Sequence, residues 1–210
     1  MKVLYFIAKY VVIIPFCKIF FWLNIEGKKN LPKKGGYILA CNHQSTLDVI
    51  FLMCLCRHQV HFIAKKELFK NKFIAKILRG AGIIPVDRTS VLSGYSSLNE
   101  AIHYLKNDKV VAIFPQGTRC KGQNPMSTNI KSGVSVMAKW GNKQVVPIFI
   151  KTKGYKTKLF HKASVFIGQP ITYQDDPNKN QIENYRIFAK DVMLSICSFD
   201  NTNNEENNKS

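Results

Sequence analysis

The sequence predicts a single α/β domain in which a mixed β-sheet is flanked by helices. Three observations support this fold class. Short apolar runs typical of strands alternate with longer amphipathic runs typical of helices. The chain has 210 residues, of which 46% are hydrophobic, and this length and composition suit one domain with a single core. An apolar N-terminal segment precedes the alternating part and is expected to be helical and to associate with a membrane.

The alternating elements occupy residues 37–199, which we assign to the body of the domain. Strands are predicted over the short apolar runs at 37–42, 60–65, 83–88, 110–115, 145–150 and 164–171. Helices are predicted over 47–56, 67–82, 93–108, 130–142 and 180–199. The last residues, 200–210, are polar and are predicted to form a disordered tail.

Residues 1–24 are predicted to anchor the chain to a membrane. The segment is apolar apart from three lysines, and residues 3–23 would be about 31 Å long as a helix, enough to cross a bilayer. Pro15 interrupts that helix, so a broken segment that dips into the membrane is favoured over a full span or a buried core helix. Lys9 and Lys18 lie near its ends, where their ammonium groups could reach the lipid headgroups.

A basic linker rich in Gly and Pro, residues 25–36, is predicted to connect this anchor to the body. Its lysines would place the body on the cytoplasmic side if the anchor crossed the membrane. The expected location is therefore the cytoplasmic face of the inner (cell) membrane.

The chain is strongly basic, with 31 Lys and Arg against 13 Asp and Glu and a formal net charge of +18. Such a charge predicts a polyanionic partner, either nucleic acid or an anionic membrane surface. The sequence carries no recognised nucleic-acid-binding motif and begins with a membrane-seeking segment, so the membrane surface is favoured. Residues 151–162 contain five lysines and no acid, which suits an anionic lipid surface or a solvated basic face.

The six cysteines form no C-x-x-C pair, which favours a reducing compartment over a disulfide framework. One cluster, C-x-C-x-H-x-x-H at 54–61, invites a zinc interpretation, but this is not a usual ligand spacing. Cys54 and Cys56 lie in an apolar helix-like run, where cysteine packs as a small hydrophobic residue. We therefore predict no metal site.

Polar turns follow four of the predicted strands. We expect these turns to meet at one edge of the sheet, because sites in α/β proteins gather at the carboxyl ends of strands. Among the titratable side chains that they carry are His43, Asp48, Lys65, Arg88 and Arg119. Two of the five arginines in the chain lie there, and arginine is the side chain whose shape best matches phosphate.

The polar stretch CNHQSTLD, residues 41–48, separates a predicted strand from a predicted helix. Ser45-x-x-Asp48 fits a capping box, so Asp48 could simply start the helix and His43 could be a turn residue. Alternatively, the Asp48 carboxylate orients the His43 imidazole and raises its basicity, which gives a general base. The two interpretations are compatible if His43 lies in the turn and Asp48 in the first helical turn.

Four sequence blocks, in order, resemble those of the glycerolipid acyltransferase family. They are N-H-x-x-x-x-D at 42–48, GIIPVDR at 82–88, FPQGTR at 114–119 and the apolar VVPIFI at 145–150. FIAKKEL at 62–68 is similar to a further basic block of the family. Together they span most of the predicted body. The small size and the apolar N-terminal segment are similar to those of bacterial lysophosphatidic acid acyltransferases.

The resemblance implies a glycerolphosphate-acyltransferase-like fold and an enzyme of phospholipid biosynthesis that acylates lysophosphatidic acid to phosphatidic acid. The implied donor is acyl-CoA or acyl-carrier protein, and no cofactor or metal is implied. His43 would act as the base and Asp48 would orient it. The residues implied to bind the acceptor phosphate are Arg88, Arg119, Lys65, Gly117 and Thr118, with Asn42 and Gln116 in support.

Gln116 departs from the family pattern, which has Glu at this position of the FPQGTR block. The amide keeps the shape and hydrogen bonding of Glu but lacks its charge. This leaves the identity of the acceptor open, and two alternatives stand beside lysophosphatidic acid acylation. One is an acyltransferase for glycerol 3-phosphate or another lysophospholipid, and the other is a basic nucleic-acid-binding protein.

Overall fold

A computed structural model of the chain describes residues 2–87 and 90–200. Within these residues seven strands form one sheet: β1 Asn24–Glu26, β2 Ile38–Cys41, β3 Val60–Lys65, β4 Ile83–Val86, β5 Val110–Ile113, β6 Val145–Lys151 and β7 Ser164–Ile167. Their order across the sheet is β1-β7-β6-β2-β5-β3-β4. Strands β2 to β6 run in one direction, whereas β7 is antiparallel to β6 and β1 is parallel to β7. This mixed sheet confirms the predicted fold class.

Helices cover both faces of the sheet. They are α1 Lys2–Ile7, α2 Ile14–Phe21, α3 Asp48–Met53, α4 Lys72–Gly80, α5 Val91–Lys106, α6 Gly133–Gly141 and α7 Gln181–Cys197. A π-helical stretch, Ala8–Ile13, joins α1 to α2.

Alternating side chains of the central strands supply two cores, one on each face of the sheet. Leu39 and Cys41 of β2 pack with α2 and α3 on one face, called here the anchor face. Ile38 and Ala40 of the same strand pack with α5, α6 and α7 on the opposite face, called the back face. Both faces of β2 are therefore buried, which explains why its sequence is a continuous apolar run rather than an alternating one.

The boundaries of some elements differ from the sequence prediction. Strand β1 lies where the predicted anchor meets the predicted linker, and only its pairing with β7 makes it a strand, because three residues are too few to show a period. The helix predicted over 47–56 ends at Met53. The helix predicted over 67–82 is instead a 3₁₀ turn, Lys66–Phe69, followed by α4. Of the predicted tail, residues 201–210 lie outside the described residues.

The N-terminal segment packs one side on the anchor face and exposes the other. Cys17 and Phe21 are fully buried there, and the Phe21 ring lies edge-on to Phe51 of α3, with the two ring centroids 5.1 Å apart. Large apolar side chains on its outer side are exposed: Ile7, Tyr10, Val11, Val12, Ile19 and Trp22. Among the described helices, none combines the length and the apolar character that crossing a bilayer requires.

Lys9 does not reach outward, as the sequence led us to expect. It is 1% exposed, and its Nζ donates a hydrogen bond to the carbonyl oxygen of Cys56, which follows α3. Lys9 lies in the π-helical stretch Ala8–Ile13 and is buried there. Burial lowers the pKa of the Lys9 ammonium group, because desolvation disfavours its charged form.

We expect the buried charge of Lys9 to make Lys9→Met relatively more stable at neutral pH than at alkaline pH. The pKa of Lys9 is lower in the folded chain than in the unfolded chain, so the wild type gains stability as the pH rises towards the ordinary lysine value. The methionine variant lacks this gain. The difference in the free energy of unfolding, variant minus wild type, should therefore fall between pH 7 and pH 10 in chemical denaturation. A difference that grows with pH would contradict this account.

Candidate active site

The turn that follows β2 is fixed to the neighbouring strand β6 by two amide side chains. Asn42 donates to the carbonyl oxygen of Ile150 at 3.0 Å and accepts from its backbone N–H at 2.7 Å. Gln44 also donates to the Ile150 carbonyl, at 2.9 Å, and accepts from the Thr152 hydroxyl at 2.6 Å. These bonds continue the pairing of β2 and β6 past the end of β2, so the turn begins from a rigid position.

Asp48 organises the inside of this turn. It is fully buried, and its Oδ2 accepts hydrogen bonds from the backbone N–H groups of Gln44, at 2.7 Å, and Ser45, at 2.8 Å. The same oxygen lies 2.9 Å from Nδ1 of His43. The Ser45 hydroxyl in turn accepts from the backbone N–H of Leu47 at 3.2 Å, and α3 begins at Asp48. The predicted capping box is only half formed, because the Ser45 N–H donates to Asp48 but the Ser45 hydroxyl accepts from Leu47 rather than from the Asp48 N–H, and α3 has no side-chain cap. The carboxylate instead stabilises the turn before the helix and contacts the imidazole.

His43 is held through both its imidazole ring and its backbone. Donation from Nδ1–H to the carboxylate assigns the basic lone pair to Nε2. The ring stacks on Phe114 with the centroids 3.8 Å apart and the planes inclined by 13°. The His43 backbone is tied to the loop after β5, because its N–H donates to Gln116 Oε1 at 2.6 Å and its carbonyl accepts from the Cys120 N–H at 2.8 Å.

Gln116 is a buried link between two loops. It is 3% exposed, and besides accepting from the His43 N–H it donates through Nε2 to the Thr128 hydroxyl at 2.9 Å. The Thr128 hydroxyl in turn donates a hydrogen bond to the carbonyl oxygen of Pro125, at 2.6 Å. Both ends of the amide are therefore satisfied inside the protein.

Two pockets open beside the turn. The first, about 410 Å³, is mostly apolar, and its lining includes His43, Ile63, Leu98, Ile113 and Phe114. The second, about 380 Å³, is polar and is lined by Gln44, Ser45, Thr46, Arg119, Lys121 and Thr157. The turn at residues 43–46 lines both pockets. The His43 imidazole faces the apolar pocket, and residues 44–46 line the polar pocket, which carries the positive charges of Arg119 and Lys121.

The sequence-predicted phosphate residues are only partly brought together. Arg119 is exposed in the polar pocket, where its NH1 donates to the Thr46 hydroxyl at 2.7 Å. Gly117 adopts a φ of +68°, which favours glycine, and lines the apolar pocket, while Thr118 is exposed beside it. Lys65 is more than half exposed, and its Nζ forms an ion pair with Glu67 at 3.2 Å. Arg88 lies outside the described residues.

The structure adds residues that the sequence did not single out. Lys121 lines the polar pocket and Lys131 the apolar one. Both follow the FPQGTR block in a stretch without regular periodicity, so no local pattern marked them. Phe114 belongs to that block, but its stacking on His43 depends on the adjacency of β2 and β5.

The cysteine and histidine cluster at 54–61 is bonded within the fold. The thiols of Cys54 and Cys56 lie against the carbonyl oxygens of Ile50 and His58. His61 contacts the carbonyl oxygen of Gly82 through Nδ1 at 3.1 Å, and its ring stacks on another ring, that of Tyr104. In the part of the chain that the structure describes, no three His, Cys, Asp or Glu side chains are placed to hold a metal ion.

Comparisons with known proteins identify the family of the chain. The family model described as Acyltransferase matches residues 23–151. The chain is 35% identical to the 1-acyl-sn-glycerol-3-phosphate acyltransferase of Bacillus subtilis over 73% of this chain and 75% of that one. It is 30% identical to the yeast (Saccharomyces cerevisiae) protein of the same name over 82% of this chain, which spans 58% of that relative.

A solved structure shows the same fold. It is the 1-acyl-sn-glycerophosphate (LPA) acyltransferase PlsC from Thermotoga maritima, with a TM-score of 0.64 at 23% identity over 92% of this chain and 82% of that one. The protein belongs to the Acyltransferase family and is an acyltransferase.

Proposed function

We propose that this acyltransferase moves an acyl group from an acyl thioester to the free hydroxyl of lysophosphatidic acid, which gives phosphatidic acid. The observation that carries the proposal is the buried His43–Asp48 pair between an apolar and a cationic pocket. The names of the relatives support this acceptor. The donor is acyl-CoA or acyl-carrier protein, and the reaction would contribute to phospholipid biosynthesis.

The proposed chemistry is a direct transfer. Nε2 of His43 takes the proton of the acceptor hydroxyl as that oxygen attacks the thioester carbonyl. The carbon–sulfur bond then breaks, and the thiolate that leaves takes the proton back from the imidazolium. Asp48 stabilises the imidazolium through Nδ1 and keeps Nε2 in the basic tautomer. No step requires a metal or a bound cofactor.

The two pockets suit the two ends of the reactants. An acyl chain fits the apolar pocket, where Ile63, Leu98 and Ile113 lie beside the imidazole. The acceptor phosphate fits the polar pocket, where Arg119 and Lys121 supply positive charge and hydroxyls supply donors. Arg88 and Lys65 remain proposed phosphate ligands, and Lys65 would have to leave Glu67 to take this role.

Gln116 gives no reason to prefer a different acceptor. Its amide bonds to the His43 backbone and to Thr128 and is buried, so the charge that Glu would bring is directed into the protein rather than into the polar pocket. We infer that Gln116 positions the turn, as Asn42 does from the other side.

The partner surface is proposed to be an anionic membrane, and the location its cytoplasmic face. Residues 1–24 are the proposed anchor, ahead of the linker at 25–36 and the body at 37–199. The lysine-rich loop at 151–162 lies beside this anchor, because Phe160 donates its N–H to the Phe20 carbonyl oxygen and the two rings are 5.2 Å apart. Phe160 is 61% exposed, so apolar and basic groups share this side of the protein.

The first prediction concerns the base. His43→Ala should lower turnover of lysophosphatidic acid by about 10²–10⁴-fold, because a positioned base contributes that much, and should leave acceptor binding intact. Asp48→Asn should cost less, because its side-chain oxygen can still accept from the two backbone N–H groups. Steady-state acyl transfer with acyl-CoA and with acyl-carrier protein as donors measures both. Near-normal turnover in His43→Ala would refute the mechanism.

The second prediction concerns Gln116. Gln116→Glu should change kcat/KM by less than about tenfold, because a carboxylate can accept from the His43 N–H and, once the Thr128 hydroxyl turns away from the Pro125 carbonyl oxygen, from that hydroxyl as well. Gln116→Leu leaves the His43 N–H buried and unpaired, a penalty of about 1–3 kcal/mol, and should lower kcat more. Thr128→Val, which removes only the outer bond, is the matched control and should lie between them. Equal losses of kcat in Gln116→Leu and Gln116→Glu would show that the Gln116 amide does not hold the turn.

The third prediction concerns the phosphate. Arg119→Ala should raise KM for lysophosphatidic acid by about tenfold or more, since a hydrogen bond to a charged group contributes about 1.5–3 kcal/mol. Arg119→Lys should restore KM only in part, because lysine keeps the positive charge but cannot bind phosphate through two parallel hydrogen bonds as the planar guanidinium does. Arg186→Ala, an exposed change on α7, is the control. An unchanged KM for lysophosphatidic acid, together with equal activity on an unphosphorylated acceptor, would mean that Arg119 does not bind the acceptor phosphate.

A further inference from the structure

Helix α4 directs its apolar stripe outward. Phe73 is 73% exposed, Ile77 53% and Ile74 46%, and no residue of the helix is buried. Leu68, in the 3₁₀ turn just before it, is 55% exposed. The amphipathic helix of a soluble protein normally turns this stripe towards the core. Here neither core cluster of the described residues includes a residue of α4.

This exposure does not come from a poorly formed helix. The Asn71 side chain caps α4 by accepting from the backbone N–H groups of Phe73, at 2.9 Å, and Ile74, at 3.1 Å. Three of the helix residues just named, Phe73, Ile74 and Ile77, have the i, i+1, i+4 spacing of one helical face. The apolar face is therefore a defined surface.

The same helix carries uncompensated positive charge. Lys65 is paired with Glu67, and Lys66 with Asp87. Four further cations are exposed and have no ion-pair partner among the described residues: Lys70, just before the helix, and Lys72, Lys76 and Arg79 within it. An exposed apolar stripe flanked by unpaired cations is the pattern of a helix that lies in the interface of an anionic bilayer.

The topology places α4 on the same side as the N-terminal segment. Helix α3 connects β2 to β3, and α4 connects β3 to β4, so both crossovers proceed in the same direction along the sheet. Right-handed crossovers that proceed in one direction lie on one face. Helix α3 packs with Cys17 and Phe21 of α2, which makes this the anchor face. The exposed stripe of α4 therefore lies on the face that already exposes Val11 and Ile19.

We propose that α4 is a second membrane-contact site, which inserts Phe73 and Ile77 into an anionic phospholipid surface while Lys72, Lys76 and Arg79 contact the headgroups. This proposal rests on the proposed function and deepens it. The acceptor is a lipid of the membrane, and the enzyme would be held at that membrane by two separate contacts of its anchor face, the N-terminal segment and α4. A bilayer fits better than an acidic carrier protein, because the outermost side chains of the helix are large and apolar rather than only basic.

The first test measures vesicle binding of the full chain without donor or acceptor, so that its result is independent of acyl transfer. Phe73→Ser/Ile77→Ser should bind phosphatidylglycerol-containing vesicles at least about tenfold more weakly than wild type, since the variant lacks the two apolar side chains whose transfer from water into the bilayer favours binding. Ile182→Ser/Ile187→Ser removes two exposed apolar residues from α7 on the back face and should bind as wild type does. Lys72→Gln/Lys76→Gln should weaken binding about tenfold on anionic vesicles and not on pure phosphatidylcholine.

The second test reports insertion directly. In a Trp22→Phe/Trp140→Phe background, which removes both native tryptophans, Phe73→Trp should be quenched by brominated lipid and Ile182→Trp should not. Wild-type vesicle binding by Phe73→Ser/Ile77→Ser, or an unquenched Phe73→Trp on vesicles that carry the protein, would overturn the proposal. Unchanged vesicle binding with a selective loss of turnover on acyl-carrier protein would overturn it too, and would assign α4 to the carrier protein.

Discussion

Asp48 buries a carboxylate under the turn that follows β2, and one of its oxygens meets three nitrogen atoms: the backbone nitrogens of Gln44 and Ser45 and Nδ1 of His43. A buried carboxylate is costly unless such donors satisfy it, and the turn in turn needs an acceptor for its buried N–H groups. The bonds that shape the turn therefore also fix the tautomer and the direction of the imidazole. The same oxygen of Asp48 therefore stabilises the turn and orients the imidazole.

The central position of β2 in the sheet makes this turn a meeting point. Strand β6 on one side holds the turn through Asn42, and the loop after β5 on the other side holds it through Gln116 and stacks Phe114 on the imidazole. The same loop carries Arg119 into the polar pocket. Parallel strands place all these carboxyl ends at one edge, so the His43 imidazole, an apolar pocket and a cationic pocket lie together without any long insertion.

The two faces of the sheet have different characters. The back face is closed by three helices whose apolar residues fill a core. The anchor face is closed at its centre by α2 and α3, but the N-terminal segment and α4 direct large apolar side chains outward there. A soluble domain rarely keeps such surfaces without a partner. The basic charge of the chain and these surfaces are consistent with one lipid-facing side.

The sequence alone determined the order of helices and strands from β2 to α7, the polar turns at their ends and the His43–Asp48 pair, because apolar periodicity and a five-residue spacing are local properties. The tertiary structure decided what contacts these residues. The bond from His43 to Gln116 spans 73 positions, and those from Asn42 to Ile150 span 108, so they exist only because β2 lies between β5 and β6. Strand β1, the inward turn of Lys9 and the outward stripe of α4 were likewise not predicted. A short strand needs its partner to form, and the direction of an amphipathic face depends on what the rest of the fold leaves uncovered.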